Sequence, residues 1–115
     1  ENFLRAKAFY LLRGPLLNRD ALIVWGAGKT GRRLSKHLIR GGCTPRAFVD
    51  ITADKIGKSL RGVPIIGAPD LPAAWRQWER PVLLAAVASR GARALIRQEL
   101  ARLQLIEGED FWCVA

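Results

Sequence analysis

The sequence predicts a three-layer α/β fold, with a mostly parallel sheet of five strands between layers of helix. Three observations carry the prediction. Short runs rich in Val, Ile, Leu and Ala recur along the chain, each of strand length and apolar on successive residues, as strands buried on both faces require. Helical patterns separate most of these runs, and parallel pairing needs such crossovers. A glycine-rich turn, Gly26 to Gly31, joins the first run directly to the helix that follows it. With 115 residues, half of them apolar, the chain suits one packed domain and is too short for two.

The elements follow in order. Residues 1–13, ENFLRAKAFYLLR, set Phe3, Leu4, Phe9, Tyr10 and Leu12 among cations and read as a basic amphipathic helix, which Gly14 and Pro15 stop. Residues 1–20 are thus expected as a helix and linker ahead of a domain spanning residues 21–115. This head is expected as a connector from an upstream domain, with two other readings open: a cover for one edge of the domain, or a surface that touches a membrane peripherally. ALIVW, from Ala21, is the first strand, and Lys29–Arg40 is a helix with Leu34 and Leu38 toward the sheet, ended by Gly41 and Gly42. RAFVD, residues 46–50, and GVPII, from Gly62, are the second and third strands. Asp70 opens a helix through Trp78 that places Trp75 and Trp78 on one face. PVLLAAVA, residues 81–88, is the fourth strand, and residues 91–105 form a helix with Ala92, Ile96, Leu100 and Leu103 in one stripe. DFWCVA closes the chain as the fifth strand. Right-handed crossovers then give the strand order 3-2-1-4-5.

The turn WGAGKTG admits two readings, and spacing separates them. A P-loop, G-x-x-x-x-G-K-[ST], needs a glycine five residues before Gly28, where Ile23 stands, and a β-branched residue cannot make that turn. The spacing G-x-G-x-x-G is complete at Gly26, Gly28 and Gly31, so the expected fold is Rossmann-like. In that reading Gly26 turns the chain off the strand, Gly28 lets backbone approach a diphosphate, and Gly31 brings the helix close to the sheet. The helix N-terminus offers free N–H groups and the positive end of its dipole, with Lys29 and Thr30 in the first turn at the phosphate rim. SAM is disfavoured, because its binding turns usually present an acid just ahead of the glycines, where Trp25 stands.

Asp50 ends the next strand, 22 residues beyond Gly28, and is placed either to accept from a ribose diol or to cap its own turn. As a ribose ligand it would disfavour NADP, whose 2′-phosphate would face a carboxylate. The strand order reverses between the first and fourth strands, so Ser89, Arg90 and a second helix N-terminus form the opposite wall of the crevice. Arg90 there is either a clamp on the diphosphate or a solvated charge. Asp54, Lys55 and Lys58 lie near the same rim and read as surface loop.

The formal net charge of +9 favours phosphate-bearing ligands. Nucleic acid is disfavoured, because the arginines form no dense run and aromatics are not interleaved with them. No apolar run reaches the roughly 20 residues of a membrane span and no signal peptide is visible, so the expected location is cytoplasmic, with contact at the inner face of the membrane left open to the basic head. Cys43, Cys113 and the single histidine, His37, form no metal set, and two reduced thiols are expected. His37 lies inside the first domain helix, away from the strand ends, and Tyr10 precedes the fold. No residue is assigned a catalytic role. The absence of methionine and the start at Glu1 predict a piece of a longer protein.

The segments VWGAGKTGRRLSKHL, AFVD, GKSLRGVPIIGAPDLP and VLLAAVASRGARALIRQEL, in that order, resemble the Rossmann-like N-terminal domain of bacterial sugar acyltransferases of surface-polysaccharide pathways. They also resemble nucleotide-binding modules attached to bacterial glycosyltransferases and polysaccharide-biosynthesis proteins. The resemblance spans about residues 21–105, with RGVPIIG its most telling piece. It implies that Gly26, Gly28, Lys29, Asp50 and the Ser89-Arg90 turn hold the nucleotide part of a UDP-sugar. The chain departs from the acyltransferases in ending on a strand where their left-handed β-helix would follow. The basic segment in front is similar instead to the arrangement of a C-terminal module behind a family 2 type glycosyltransferase domain. The expected function is an accessory nucleotide-binding module, for a UDP-sugar or NAD, within such a transferase, itself not catalytic. Two alternatives stand beside it: the cofactor half of an NAD-dependent oxidoreductase, and an interaction domain whose nucleotide site has decayed and which docks to a membrane or a partner.

Overall fold

Burial decides the centre of the molecule: Ile23 and Val24 are fully buried, so the strand that carries them lies between neighbours on both sides. A computed structural model describes residues 2–115, and Glu1, the first residue of the predicted amphipathic segment, lies outside the described residues. In chain order the elements are α1 (Asn2–Arg13), β1 (Ala21–Trp25), α2 (Lys29–Arg40), β2 (Ala47–Asp50), β3 (Ser59–Leu60) and β4 (Val63–Gly67). A 3-10 turn (Ala68–Asp70), α3 (Leu71–Trp75), β5 (Pro81–Ala85), α4 (Arg90–Arg102) and β6 (Phe111–Cys113) complete them. The sheet order is β3-β4-β2-β1-β5-β6. All pairs are parallel except β3 with β4.

The five predicted strands therefore take their predicted order, and the correction is a sixth strand at the edge. β3 forms a tight hairpin with β4, in which Ser59 faces Pro64 and Leu60 faces Val63. Its turn is Arg61-Gly62, with φ of 53° and 78°. Two positive φ values in a two-residue turn favour Asn-Gly, and an arginine in the left-handed region costs about 1 kcal/mol relative to its relaxed backbone. The second correction is the helix opened at Asp70, which stops at Trp75 and not at Trp78. Its end is dictated by Asp20, whose carboxylate accepts the N–H groups of Glu79 (2.8 Å) and Arg80 (2.9 Å) and pulls the chain toward β5. Trp78 leaves the helix face and lies under the Arg46 guanidinium, 5.0 Å from its centroid. The strands predicted at residues 46–50, 81–88 and 110–115 are each shorter at one or both ends. The last predicted helix begins one residue earlier, at Arg90, and ends at Arg102.

The apolar residues divide between the two faces of the sheet. On one side Leu22 and Val24 of β1, Phe48 of β2 and Leu84 of β5 pack with Leu34 and Leu38 of α2 and with Ala8 and Leu11 of α1. Ser35 is fully buried in that layer, and its hydroxyl donates to the Arg32 carbonyl at 2.9 Å. On the other side Ile23, Trp25, Val49 and Leu83 pack with Leu71 of α3 and with Ile96 and Leu100 of α4. The head of the chain thus folds onto the domain. A Cβ on Gly41 would overlap Leu12 of α1, and the Lys7 ammonium donates to the Val114 carbonyl at 2.7 Å. Phe3, Phe9 and Tyr10 are 72%, 58% and 69% exposed, and Ala8 and Leu11 are the α1 residues that enter the core. No helix among the described residues is long and apolar enough to cross a membrane.

The docking of α1 is open to direct measurement. Leu11→Ala removes a side chain that is 2% exposed and should lower the unfolding free energy by about 2–3 kcal/mol in a urea titration. Tyr10→Ala, on the outward face, should change it by less than about 0.5 kcal/mol. Equal effects would mean that α1 does not pack as described.

Candidate functional site

The glycine turn lies where the strand order reverses, at the C-terminal ends of β1 and β5. Two of its three glycines are required by packing alone. Gly26 has φ of 121°, and a Cβ on it would stand 2.8 Å from the Ala86 carbonyl oxygen. A Cβ on Gly31 would overlap the carbonyl of Gly26, so only glycine lets α2 approach β1 this closely. Gly28 is different. Its backbone is extended, at φ −85° and ψ −162°, and a Cβ would meet nothing nearer than the Lys55 ammonium at 3.8 Å.

Gly28 is also the N-cap of α2, and no side chain caps the helix. The first helical hydrogen bond runs from Arg32 N–H to the Gly28 carbonyl at 2.9 Å, so the N–H groups ahead of it point out of the helix end. No acid lies in the first turn. An open cleft of about 560 Å³ covers this end, lined by Ala27, Gly28, Lys29, Arg32, Arg33, Lys55 and Arg61. The cations come from three places. Lys29, Arg32 and Arg33 lie on one face of α2, Lys55 comes from the loop after β2, and Arg61 comes from the β3–β4 turn, where its guanidinium also donates to the Arg32 carbonyl at 3.2 Å.

On the far side of the turn a second cleft, of about 320 Å³, is mainly apolar. Trp25, Gly26 and Asp50 lie against it from the sheet, Ile51 and Ala68 from the loops, and Val87, Ala92, Leu95, Ile96 and Glu99 from the β5–α4 side. Ile51 and Leu95 are 75% and 65% exposed and form its apolar lips. Glu99 is fixed by a two-point contact with Arg102, Nε to Oε2 at 3.1 Å and a second nitrogen to Oε1 at 2.5 Å.

Asp50 lies between the two clefts and holds the turn in place. One carboxylate oxygen accepts the Ala27 N–H at 2.9 Å, and the other accepts the N–H groups of Ile51 (2.8 Å) and Thr52 (2.9 Å). Burial by itself would raise its pKa, but the Thr52, Ala27 and Ile51 donors outweigh that and hold the carboxyl below 3.8. The side chain thus does the turn-capping work that was one of its two predicted roles. Three of its roughly four acceptor sites are occupied by backbone.

The predicted site residues separate as follows. Gly26 and Asp50 line the apolar cleft, and Gly28 and Lys29 line the cationic one. Thr30 is half-buried in the first turn of α2, and Gly31 is buried beneath it. Ser89 and Arg90 are exposed at the start of α4 and line neither cleft, and the Ser89 hydroxyl accepts the Ala92 N–H at 3.3 Å as the cap of that helix. Arg32, Arg33 and Arg61 were missed. The first two follow Lys29 by three and four residues and so share its helix face. Arg61 sits in the turn of the unpredicted β3–β4 hairpin, and Arg-Gly is not a pair that signals such a turn. His37 is in the last turn of α2, at the opposite end from the glycine turn. Among the described residues no three of His, Cys, Asp and Glu converge to hold a metal ion.

A parallel sheet with this order, a glycine turn at the reversal and an uncapped helix behind it define a Rossmann-like domain. Solved structures agree on the fold. UDP-D-quinovosamine 4-dehydrogenase from Vibrio fischeri superposes with a TM-score of 0.67 at 24% identity, covering 76% of this chain and 74% of that one. RSP, a Rex-family repressor, gives 0.66 at 15% identity over 90% of this chain and 48% of that one. RSP in complex with β-NADH gives 0.63 at 16% identity over 91% of this chain, so the chain spans about half the length of RSP, 51% in that complex. No family model and no curated protein matches the chain, so the likeness to acyltransferase and glycosyltransferase modules rests on the sequence motifs.

Gly31→Ala forces the Gly26 carbonyl aside and should cost about 3 kcal/mol or more, read as a lower urea midpoint. Asp50→Ala frees three buried or half-buried N–H groups and should cost about 2 kcal/mol. Because the folded carboxyl is held below 3.8, its contribution is complete above that pH and is lost as pH falls through the depressed value. Stability of the parent chain should therefore fall more steeply than that of Asp50→Ala as pH drops below about 4.

Proposed function

We propose that this chain is a nucleotide-binding module whose ligand lays a diphosphate across Gly28 and the N-terminus of α2. The observation that carries the reading is the glycine at position 28, which neither backbone conformation nor packing demands. Ser or Asp would cap α2 better. What glycine adds is open space above backbone N–H groups beneath a ring of cations, the arrangement that phosphate oxygens occupy at helix N-termini. The apolar cleft beyond Gly26 then receives the group on the other side of the diphosphate, with Trp25, Ile51 and Leu95 as its contacts. Lys29 and Thr30 serve the phosphates from the first turn of α2. Asp50 positions the turn, and its remaining acceptor site faces ligand from the apolar cleft.

A dinucleotide of the NAD type is the first candidate, supported by the likeness to RSP in complex with β-NADH. A UDP-sugar is the second, supported by the likeness to UDP-D-quinovosamine 4-dehydrogenase and by the sequence resemblance to sugar acyltransferase domains. Two carboxylates line the apolar cleft, and both are committed: Asp50 to backbone and Glu99 to Arg102. That favours binding over proton transfer, hence an accessory module within a larger carbohydrate-active transferase. Ser89 and Arg90 join the site on this reading only if α4 shifts toward the glycine turn on binding. The outward aromatics of α1 suit contact with another domain or a membrane face.

An NMR titration of the labelled chain with NAD+ and with a UDP-hexose tests the proposal. Residues 26–31 and Asp50 should shift on saturation with one of them. Gly28→Asp supplies a better helix cap and should stay folded, yet it should weaken binding by tenfold or more, about 1.4 kcal/mol. No shift with either ligand at millimolar concentration sinks the proposal.

A further inference from the structure

We infer that the outer face of α1 docks on an anionic lipid bilayer, with Phe3, Phe9 and Tyr10 among the headgroups and Arg5, Arg13 and Arg40 on lipid phosphates. The inference goes beyond the nucleotide-binding reading and does not rest on it. Its first basis is the place of the exposed rings. Among the described residues every exposed aromatic side chain belongs to α1, and the six aromatic residues elsewhere are buried or half-buried. Helical spacing gathers them into a stripe. Phe3, Ala6, Tyr10 and Arg13 succeed one another at three or four residues, with Phe9 beside Tyr10, and all five are exposed. Ala8 and Leu11 hold the opposite face in the core, so the stripe is presented outward from the domain.

Its second basis is the sign of the charge around the stripe. The segment from Asn2 to Arg19 holds Arg5, Lys7, Arg13 and Arg19 and no Asp or Glu. The α2 helix beside it lacks them too, and its exposed last residue, Arg40, adjoins the Gly41 against which Leu12 of α1 packs. The layer across the sheet is balanced instead. Residues 90–115 hold four arginines and four acids, with Arg97 paired to Glu107 and Arg102 to Glu99. On α1 the cations stand over the rings: the Arg13 guanidinium is 3.9 Å from the Phe9 centroid, and the Lys7 ammonium is 4.8 Å from that of Phe3. A Phe9 ring at headgroup depth therefore carries Arg13 to the level of the lipid phosphates, which its planar fork of donors fits.

The chemistry of the stripe selects its occupant. A second copy of the chain would meet it with the same patch, since a two-fold interface is self-complementary, and would set guanidinium against guanidinium. An apolar groove on a protein would strip water from cations that stand directly over the anchoring rings. A bilayer surface takes both groups at once, because Phe and Tyr rings settle at the interface while Arg keeps its charge among phosphates. Reversible peripheral binding needs two signals of this kind, and the rings supply one and the arginines the other.

Flotation of the 115-residue chain with vesicles tests this, using phosphatidylcholine alone and phosphatidylcholine mixed with phosphatidylglycerol. Partitioning should be stronger by about tenfold on the mixed vesicles and should fall as salt is added. Phe9→Ala with Tyr10→Ala should weaken it by about tenfold in a chain that stays folded, because both side chains lie outside the core. Arg13→Gln and Arg76→Gln each remove one charge, the first from the stripe and the second from the end of α3 on the other side of the sheet. The first should weaken partitioning about fivefold and the second less than about twofold. Equal losses in those two variants overturn the inference, because net charge alone then does the binding. Partitioning that survives Phe9→Ala with Tyr10→Ala overturns it as well, and so does equal partitioning on both kinds of vesicle. Absence of binding to the mixed vesicles also overturns it; a dimer in sedimentation that the double alanine variant dissociates would then give the stripe to a second copy. None of these outcomes bears on the nucleotide site, since no variant touches the glycine turn.

Discussion

The approach of α2 to the end of β1, backbone against backbone at Gly31 and Gly26, is the constraint on which the rest of the domain depends. It fixes the helix axis over the sheet, which delivers Leu34 and Leu38 into the core and leaves the helix N-terminus at the rim where the strand order reverses. A wider spacing would open the core on the α1 side and turn the free N–H groups away from the crevice. One sterically forced contact therefore serves both stability and the placing of positive potential, and neither could be relaxed without the other.

Around that contact the charges are arranged by sign. Cations collect on the α2 side, where side chains from helix, loop and hairpin converge. The buried carboxylate of Asp50 lies under the turn and is stabilised by N–H donors, with no cation among its causes of stabilisation. This separation matters because an ion pair between Asp50 and any of the cleft's cations would neutralise the cleft from within. Backbone donors stabilise the carboxylate at no cost to the field above Gly28. Asp50 and the cations thus work on the same turn from two sides.

Most of this was legible in the sequence, for reasons that can be named. ALIVW and PVLLA are buried on both faces and read as continuous apolar runs, and the three glycines have a spacing with one structural meaning. The roles of Gly26 and Gly31 follow from that spacing. What was hidden depended on contacts distant in the chain. The end of α3 is set by Asp20, some sixty residues away, and no local pattern near Trp75 carries that information. Which face of α1 turns inward was not legible either, because Ala8 and Leu11 are buried by contacts with α2 and the sheet while Phe9 and Tyr10 stay outside. The cationic cleft was hidden because its members come from three separated segments. Each of them alone looks like a solvated charge.

The sheet is bounded by very short strands. β3 offers two residues at one edge and β6 three at the other, while the long strands with continuous apolar character are all interior. An incoming strand would gain only a few backbone hydrogen bonds at either side, too few to offset the entropy of ordering it. The domain is consequently self-limiting in the direction of the sheet: copies at high local concentration meet through helices and loops, and do not polymerise edge to edge. A neighbouring molecule can therefore crowd against the domain without being recruited into its hydrogen-bond ladder.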